Sequence, residues 1–380
     1  MDTETSSPLH LPSLKICGFR GFDRLTIPCL GSVTLLAGRN GVGKTTVLDA
    51  VRLFAARGRG SELSTLLKER EELVGYRGLG PVTEPVPDFA ALFHGRGEDG
   101  ATTIAIGPGP DEDDLRLTVS PPEEWSREEA ELVPDPPRDV RVEALRVTYG
   151  GSDKFVPGLV GHDGRSNPLG VLLRERGRRD ESDWPAPITC ESLGPGLPDK
   201  DDLGLGWSGI ALTEAEDFLV EALKLVLDAG VERVSVVGGG GTGAGSRLSR
   251  GVIVKLRDHA RPVPLKSLGD GAARLFGAAL ALTHSRKGLL LIDEAENGLH
   301  YTVHEDFWRM VLGTAREGGV QVLATTHSWD CIVGFARAAT ECADTDGVLV
   351  RLEPGGDGCR AVVYSEDELQ VAAEQRIEVR

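Results

Sequence analysis

Short apolar runs bounded by glycine or by acids recur along this chain. Val33–Ala37 is the first, a mostly apolar run that reads as a buried strand. Thr46–Ala56 follows with Val47, Leu48, Val51 and Phe54 at helical spacing. Upstream, Leu14–Phe19 and Leu25–Ile27 read as strands around Arg20-Gly21-Phe22, a hairpin or bend. Ser61–Val74 predicts a helix whose apolar members are Leu63, Leu66, Leu67 and Leu73. Phe89–His94 is a short apolar stretch, and Thr102–Ile106 and Leu115–Val119 predict a hairpin. Asp139–Tyr149 alternates as a strand. Thr213–Ala229 predicts a helix with Phe218, Leu219, Ala222, Leu225 and Val226 as its buried stripe. Thr213 and Glu216 have capping-box spacing, and Gly230 is the stop. Val231–Val237 and Gly251–Leu256 predict paired strands joined by the glycine loop Gly238–Gly245.

Further on, Gly288–Glu294 (GLLLIDE) and Val320–Ser328 (VQVLATTHS) read as buried strands with a helix at Val303–Ala315 between them, a βαβ unit. Val348–Leu352 and Ala361–Tyr364 predict a closing hairpin. Pro108–Asp139 is rich in Pro, Asp and Glu and is expected to be exposed or partly disordered. Gly150–Gly209 carries many Gly and Pro residues and the basic cluster Arg174–Arg179, expected to be a solvated surface. The pattern is α/β: an N-terminal lobe at 1–106, an insertion or lid at 107–209, and a C-terminal lobe at 210–380.

Chemistry enters after the first strand. Gly38-Arg39-Asn40-Gly41-Val42-Gly43-Lys44-Thr45, followed by Thr46, is GxxxxGKT between a strand and a helix. Glycines let backbone N–H groups converge on phosphate oxygens, and the helix N-terminus adds positive charge. Lys44 would reach the β- and γ-phosphates, and Thr45 would offer its hydroxyl to Mg²⁺. Asp293 and Glu294 end a second strand at the edge where open parallel sheets hold ligands. Asp293 would support Mg²⁺, and Glu294 would polarise the attacking water. His327, at the end of a neighbouring strand, would hydrogen-bond the γ-phosphate. Ser267, Gly269 and Gly271 precede a helix carrying Leu275, Phe276, Ala279 and Leu282. They make either a second anion-binding terminus, closing over another subunit's nucleotide, or a plain helix cap. His300 and His304 have the i, i+4 spacing of a zinc pair, but no third ligand is evident.

The formal charge of −17 argues against an evenly basic DNA-coating protein and leaves room for a local basic groove. Six scattered cysteines without CxxC pairs fit reduced intracellular thiols. The polar, acidic N-terminus is not a signal peptide, and no apolar run approaches a membrane span. The expected location is cytoplasmic, with no membrane partner.

The order GRNGVGKT, SLGDG, LLLIDE, ENGLH, TTHS resembles the ABC-type ATPases of the SMC, RecF and OLD (overcoming lysogenisation defect) group, often labelled AAA-family ATPases. The resemblance spans Leu14–Phe54, with Phe19-Arg20-Gly21-Phe22, and Val252–Phe335. It implies a P-loop NTPase fold, an ABC-type head with a mixed sheet, a β-rich N-terminal lobe and a helical or irregular insertion. It implies ATP and Mg²⁺ as cofactors, Walker A at Gly38–Thr46 and Walker B ending in Asp293 and Glu294. Ser267, Gly269 and Gly271 would contact ATP in trans within an ATP-dependent homodimer. Asn297–His300 looks like the D-loop and His327 like the switch histidine. DNA and a nuclease encoded nearby are the implied candidate partners, in DNA metabolism or phage defence. The usual Q-loop glutamine is missing, since the glutamines are Gln321, Gln370 and Gln375; Phe89–His94 is the candidate to fill its place. No heptad arm separates the two blocks, and the roughly 45 residues after Phe335 are too few for a Toprim nuclease. An ABC transporter subunit, which should carry the glutamine, and an ATP-gated scaffold with little turnover are the competing readings.

Overall fold

The computed structural model describes residues 8–74, 86–97, 102–109, 114–132, 144–156, 184–198, 200–227, 230–238, 250–342, 345–355, 358–364, 368–369 and 371. The Arg174–Arg179 cluster and most of the Gly238–Gly245 loop lie outside them, as do Gln370 and Gln375.

Two six-stranded sheets carry the fold. The first is antiparallel. It runs β2 (Phe22–Ile27), β1 (Leu14–Phe19), β6 (Thr103–Gly107), β7 (Leu115–Ser120), β8 (Ala144–Tyr149), β9 (Ser152–Val156). The second runs β10 (Cys190–Leu193), β14 (Leu289–Ile292), β15 (Gln321–Thr326), β3 (Val33–Ala37), β16 (Gly347–Gly355), β17 (Gly358–Tyr364). Its first five strands are parallel and β17 returns antiparallel, so the sheet is mixed. A short third sheet joins β11 (Val231–Gly238), β12 (Arg250–Leu256) and β13 (Val263–Pro264), and β4 (Leu73–Val74) pairs with β5 (Val86–Pro87).

The helices are α1 (Lys44–Ala55), α2 (Gly60–Glu69), α3 (Arg127–Leu132), α4 (Lys200–Ile210), α5 (Glu214–Lys224), α6 (Asp270–His284), α7 (His304–Gly318) and α8 (Trp329–Glu341). All five β3 residues are buried. Leu36 faces a core shared with α1 and the first sheet, while Val33, Leu35 and Ala37 face a core built on α7 and α8. Covering both faces of a parallel strand requires the unbroken apolar run that the sequence displays. Leu275, Ala278 and Leu282 of α6 join the second core. Its Ala273, Phe276 and Ala279 join a third, built on α4, α5 and β11–β13. An apolar surface all round the helix matches that double duty.

Within the stretch 107–209, β7 and β8 form where strands are expected, while β9 and β10 are strands that the sequence reading lacks. β7, β8 and β9 extend the first sheet, and β10 edges the second beside β14. β9 and β10 are short and flanked by Pro- and Gly-rich segments, which dilutes their pattern in any long window. The Thr213–Glu216 capping box also differs. The Thr213 hydroxyl donates to the Ile210 carbonyl, and the Glu216 carboxylate accepts from the Leu212 N–H. Gln321 is a structural clasp at the far edge of the sheet. It accepts from the Leu11 N–H at 2.9 Å and donates to the Leu11 and Gly31 carbonyls. All six cysteines are free, and no described helix is long and apolar enough to cross a membrane.

Asp49, on the second turn of α1, is a charged knot under the first sheet. Its carboxylate, 5% exposed, accepts from Arg20 at 2.9 Å and from Arg70 at 2.7 and 3.1 Å. Burial pushes the Arg20 guanidinium below its ordinary value while the Asp49 charge opposes the shift. Asp49→Ala would strand two partly buried guanidiniums. It should cost about 2–4 kcal/mol, less than a fully buried pair because Arg70 keeps some water. Urea denaturation checks this, and a loss under about 0.5 kcal/mol would mean solvent already screens the cluster.

Candidate nucleotide site

β3, β14 and β15 end side by side, with Thr326 opposite Ala37 and Ala324 opposite Ile292. The glycine loop, the acid pair and His327 therefore leave one sheet edge together. Gly38 has φ +147° and Gly43 φ +101°. A Cβ on Gly43 would meet the Phe22 ring at 2.4 Å, and one on Gly38 would meet the Leu352 carbonyl oxygen at 2.7 Å. Side chains at either position would lift the loop off its bed. That fixes Phe22, and with it the β1–β2 turn, as the floor of the loop.

Lys44 opens α1 and folds back over the loop. Its Nζ donates to the Gly38 carbonyl at 2.7 Å and the Arg39 carbonyl at 3.1 Å. Burial pushes the Lys44 ammonium below its ordinary value, against the pull of Glu296, Asp293 and Glu294. The Thr45 hydroxyl lies 3.0 and 3.2 Å from the two Asp293 carboxylate oxygens. The Thr325 hydroxyl donates to Asp293 at 2.6 Å and accepts from the Glu294 N–H at 2.8 Å. Glu294 is half-buried at φ +50°, a left-handed conformation uncommon outside glycine. Its carboxylate accepts from the Asn297 amide.

His327 sits 44% exposed at the same edge, its Nδ1 3.0 Å from Glu296 Oε1, which also accepts the His327 N–H. In the tautomer that donates Nδ1–H to this carboxylate, Nε2 is left as the acceptor. Ser267 lies in a 3₁₀ turn, exposed, and Gly269 caps α6 at φ +100°. A Cβ on Gly271 would come within 3.1 Å of the Gly298 carbonyl oxygen. Among the described residues, none of these three hydrogen-bonds to Gly38–Thr46. Gly271 stands against the 294–298 turn instead. His304 is buried and His300 is exposed with Thr302, so the two histidines do not converge.

Phe89–His94 supports the β1–β2 turn. Leu92 accepts the Arg20 N–H, and His94 Nδ1 lies 2.8 Å from the Arg20 carbonyl. A cleft of about 690 Å³ opens beside Thr45 and Asp293, and its other walls include Arg52, Arg70, Glu191 and Ser192. The β10 end, absent from the sequence reading, is therefore the segment next to the Thr45–Asp293 pair. Glu296 and Arg274 were also missed there. Arg274 left one signal: a lone cation inside the otherwise apolar run Ala272–Ala281.

The donor set fits a hard cation. A hydroxyl and a carboxylate are oxygen ligands, and Mg²⁺ usually takes one or two carboxylates with substrate phosphates. Among the described residues, no group of three or more His, Cys, Asp or Glu could hold a metal alone.

Residues 205–331 match the family model "AAA domain, putative AbiEii toxin, Type IV TA system", and residues 13–73 match "AAA domain". No curated protein matches the sequence. Among solved structures, similarity is found to an SMC head bound to the C-terminal winged-helix domain of ScpA, with 12% identity and a TM-score of 0.47, over 94% of this chain and 98% of that one. The SMC head domain from Thermotoga maritima gives 16% identity and a TM-score of 0.42, over 94% and 100%. An SMC head with an extended coiled coil, bound to the C-terminal domain of ScpA and derived from Pyrococcus furiosus, gives 12% and 0.45, over 97% and 100%. The glycine loop between β3 and α1, the mixed α/β sheet and the two AAA matches define the class: a P-loop domain. The two matched stretches form two blocks, one around the loop and one ending just past His327.

Proposed function

We propose that this protein binds ATP with Mg²⁺ at the shared sheet edge and hydrolyses it. Two copies then pair head to tail around the nucleotide, and the ATP state controls a partner, a nuclease or DNA, in DNA metabolism or phage defence. The observation that carries the proposal is the Thr45–Asp293 contact at 3.0 Å across 248 residues of sequence. It brings the metal-seeking hydroxyl of the loop to the metal-seeking acid of the second block.

Thr45 and Asp293 would hold the ion, which when bound neutralises charge on the phosphates. Lys44 would exchange its two carbonyl acceptors for phosphate oxygens, which are better partners for a desolvated ammonium. Glu294 would orient and deprotonate the attacking water, with Asn297 holding its carboxylate. His327 would meet the terminal phosphate, its ring fixed by Glu296. Ser267, Gly269 and Gly271 make no hydrogen bond to Gly38–Thr46 among the described residues, and the exposure of Ser267 and Gly269 favours a role on a second copy's nucleotide.

Purified protein should release phosphate from ATP in Mg²⁺, and EDTA should reduce the rate to background. A malachite green assay reads this. Turnover unchanged by EDTA would remove Asp293 and Thr45 as ion holders.

A further inference from the structure

Arg274 lies on the second turn of α6 and is 1% exposed. Its hydrogen-bond partners are all backbone carbonyls. Nη1 donates to the Gly194 carbonyl and, at 3.3 Å, to that of Gly196, both in the turn after β10. Nη2 donates to the Asp293 carbonyl at 2.6 Å and the Glu294 carbonyl at 3.0 Å. Burying a guanidinium is expensive, and a well-packed apolar side chain often does better for stability alone. Burial pushes this one down to about 10, while the charges of Asp293, Glu296 and Glu294 oppose the shift, so it stays protonated at neutral pH.

What the cation fixes is specific. Glu294 stands at φ +50°, and such a conformation persists only where its surroundings hold it. Its N–H is taken by the Thr325 hydroxyl and its carbonyl by Arg274. The same guanidinium roots α6, whose first turn carries Gly269 and Gly271, against the turn after β10. One side chain thus joins three segments around the acid pair.

We infer that Arg274 is a positioning residue for Glu294: it locks the strained backbone that aims the carboxylate and ties it to the helix carrying Gly269 and Gly271. The inference rests on the ATPase reading above. A shift of α6, as when a second copy docks on its N-terminus, would then pass directly to the backbone of Glu294.

The test compares the full chain as wild type, Arg274→Lys and Arg274→Met. It measures affinity for a fluorescent ATP analogue, saturated turnover per nucleotide-binding site, and thermal melting. Lysine keeps the charge but offers one nitrogen, which cannot serve the 194–196 and 293–294 carbonyls as two separate nitrogens do. Turnover of the folded lysine variant should fall about tenfold, and that of the methionine variant about a hundredfold, with nucleotide affinity within about threefold of wild type. If the methionine variant does not fold, the lysine variant decides alone. Wild-type turnover in folded Arg274→Lys would overturn the inference and leave the ATPase reading standing. So would equal losses of affinity and turnover, which mark a merely structural role. A wild-type chain that binds ATP without turning it over would overturn the ATPase reading and this inference with it.

Discussion

ATP affinity of Lys44→Ala should fall by about a hundredfold or more, a loss of roughly 3 kcal/mol for a charge-assisted contact in a partly dry site. The reason lies in what surrounds the ammonium. Asp293, Glu294 and Glu296 all act on it, and burial has already stripped much of its water. Alanine leaves three carboxylates to meet an anionic triphosphate without their counter-charge. Like charges would then raise the cost of bringing the phosphates in. The loop itself should survive, because its shape depends on Gly38, Gly43 and the Phe22 ring beneath. Isothermal titration with ATP and Mg²⁺ measures the effect, alongside a melting curve to verify folding. Unchanged affinity would falsify the role given to the lysine. Lys44→Arg should bind ATP nearly as poorly, because a flat, forked guanidinium does not fit the space from which a slim ammonium reaches the Gly38 and Arg39 carbonyls.

What was legible in the sequence followed from local rules. The Val33–Ala37 strand, the glycine loop, the α1 periodicity and the βαβ unit from Gly288 to Ser328 each depend on neighbours in the chain. The acid pair was legible because a buried strand that ends in two carboxylates exposes them at a sheet edge. What was not legible depended on distant partners. Arg274 finds its acceptors some twenty and eighty residues away, and those acceptors are carbonyls, which carry no side-chain signature. Asp49 looks like an ordinary polar position on an amphipathic helix until Arg20 and Arg70 are folded onto it. Glu296 reads as one more acid in an acidic stretch, yet its backbone turn places it under His327. Within 107–209, β7 and β8 were legible as alternating runs, but β9 and β10 were not, because strand pairing is non-local and the surrounding Pro and Gly masked two such short runs.

Glu294→Gln should hold ATP and pair. Losing a general base of this kind typically lowers turnover by about 10²–10⁴-fold. The substitution is close to isosteric, and the glutamine carbonyl can still accept from the Asn297 amide that now holds the carboxylate. The left-handed backbone, held through Thr325 and Arg274, is untouched by the change. Binding therefore survives while chemistry stops. If the exposed Ser267 and Gly269 complete the site of a second copy, stalled ATP should accumulate a dimer that wild type forms only briefly. Light scattering should show doubled mass with ATP and Mg²⁺ and single mass without. Adding Ser267→Arg in the same background puts a long cation where the second copy would close, and should return the mass to that of a monomer with ATP still bound to its own loop. A Glu294→Gln protein saturated with ATP yet monomeric would remove the in-trans role of Ser267, Gly269 and Gly271. Undiminished turnover would instead remove Glu294 from the chemistry. The two results are independent, because the carboxylate acts on water inside one head while the α6 N-terminus acts between heads.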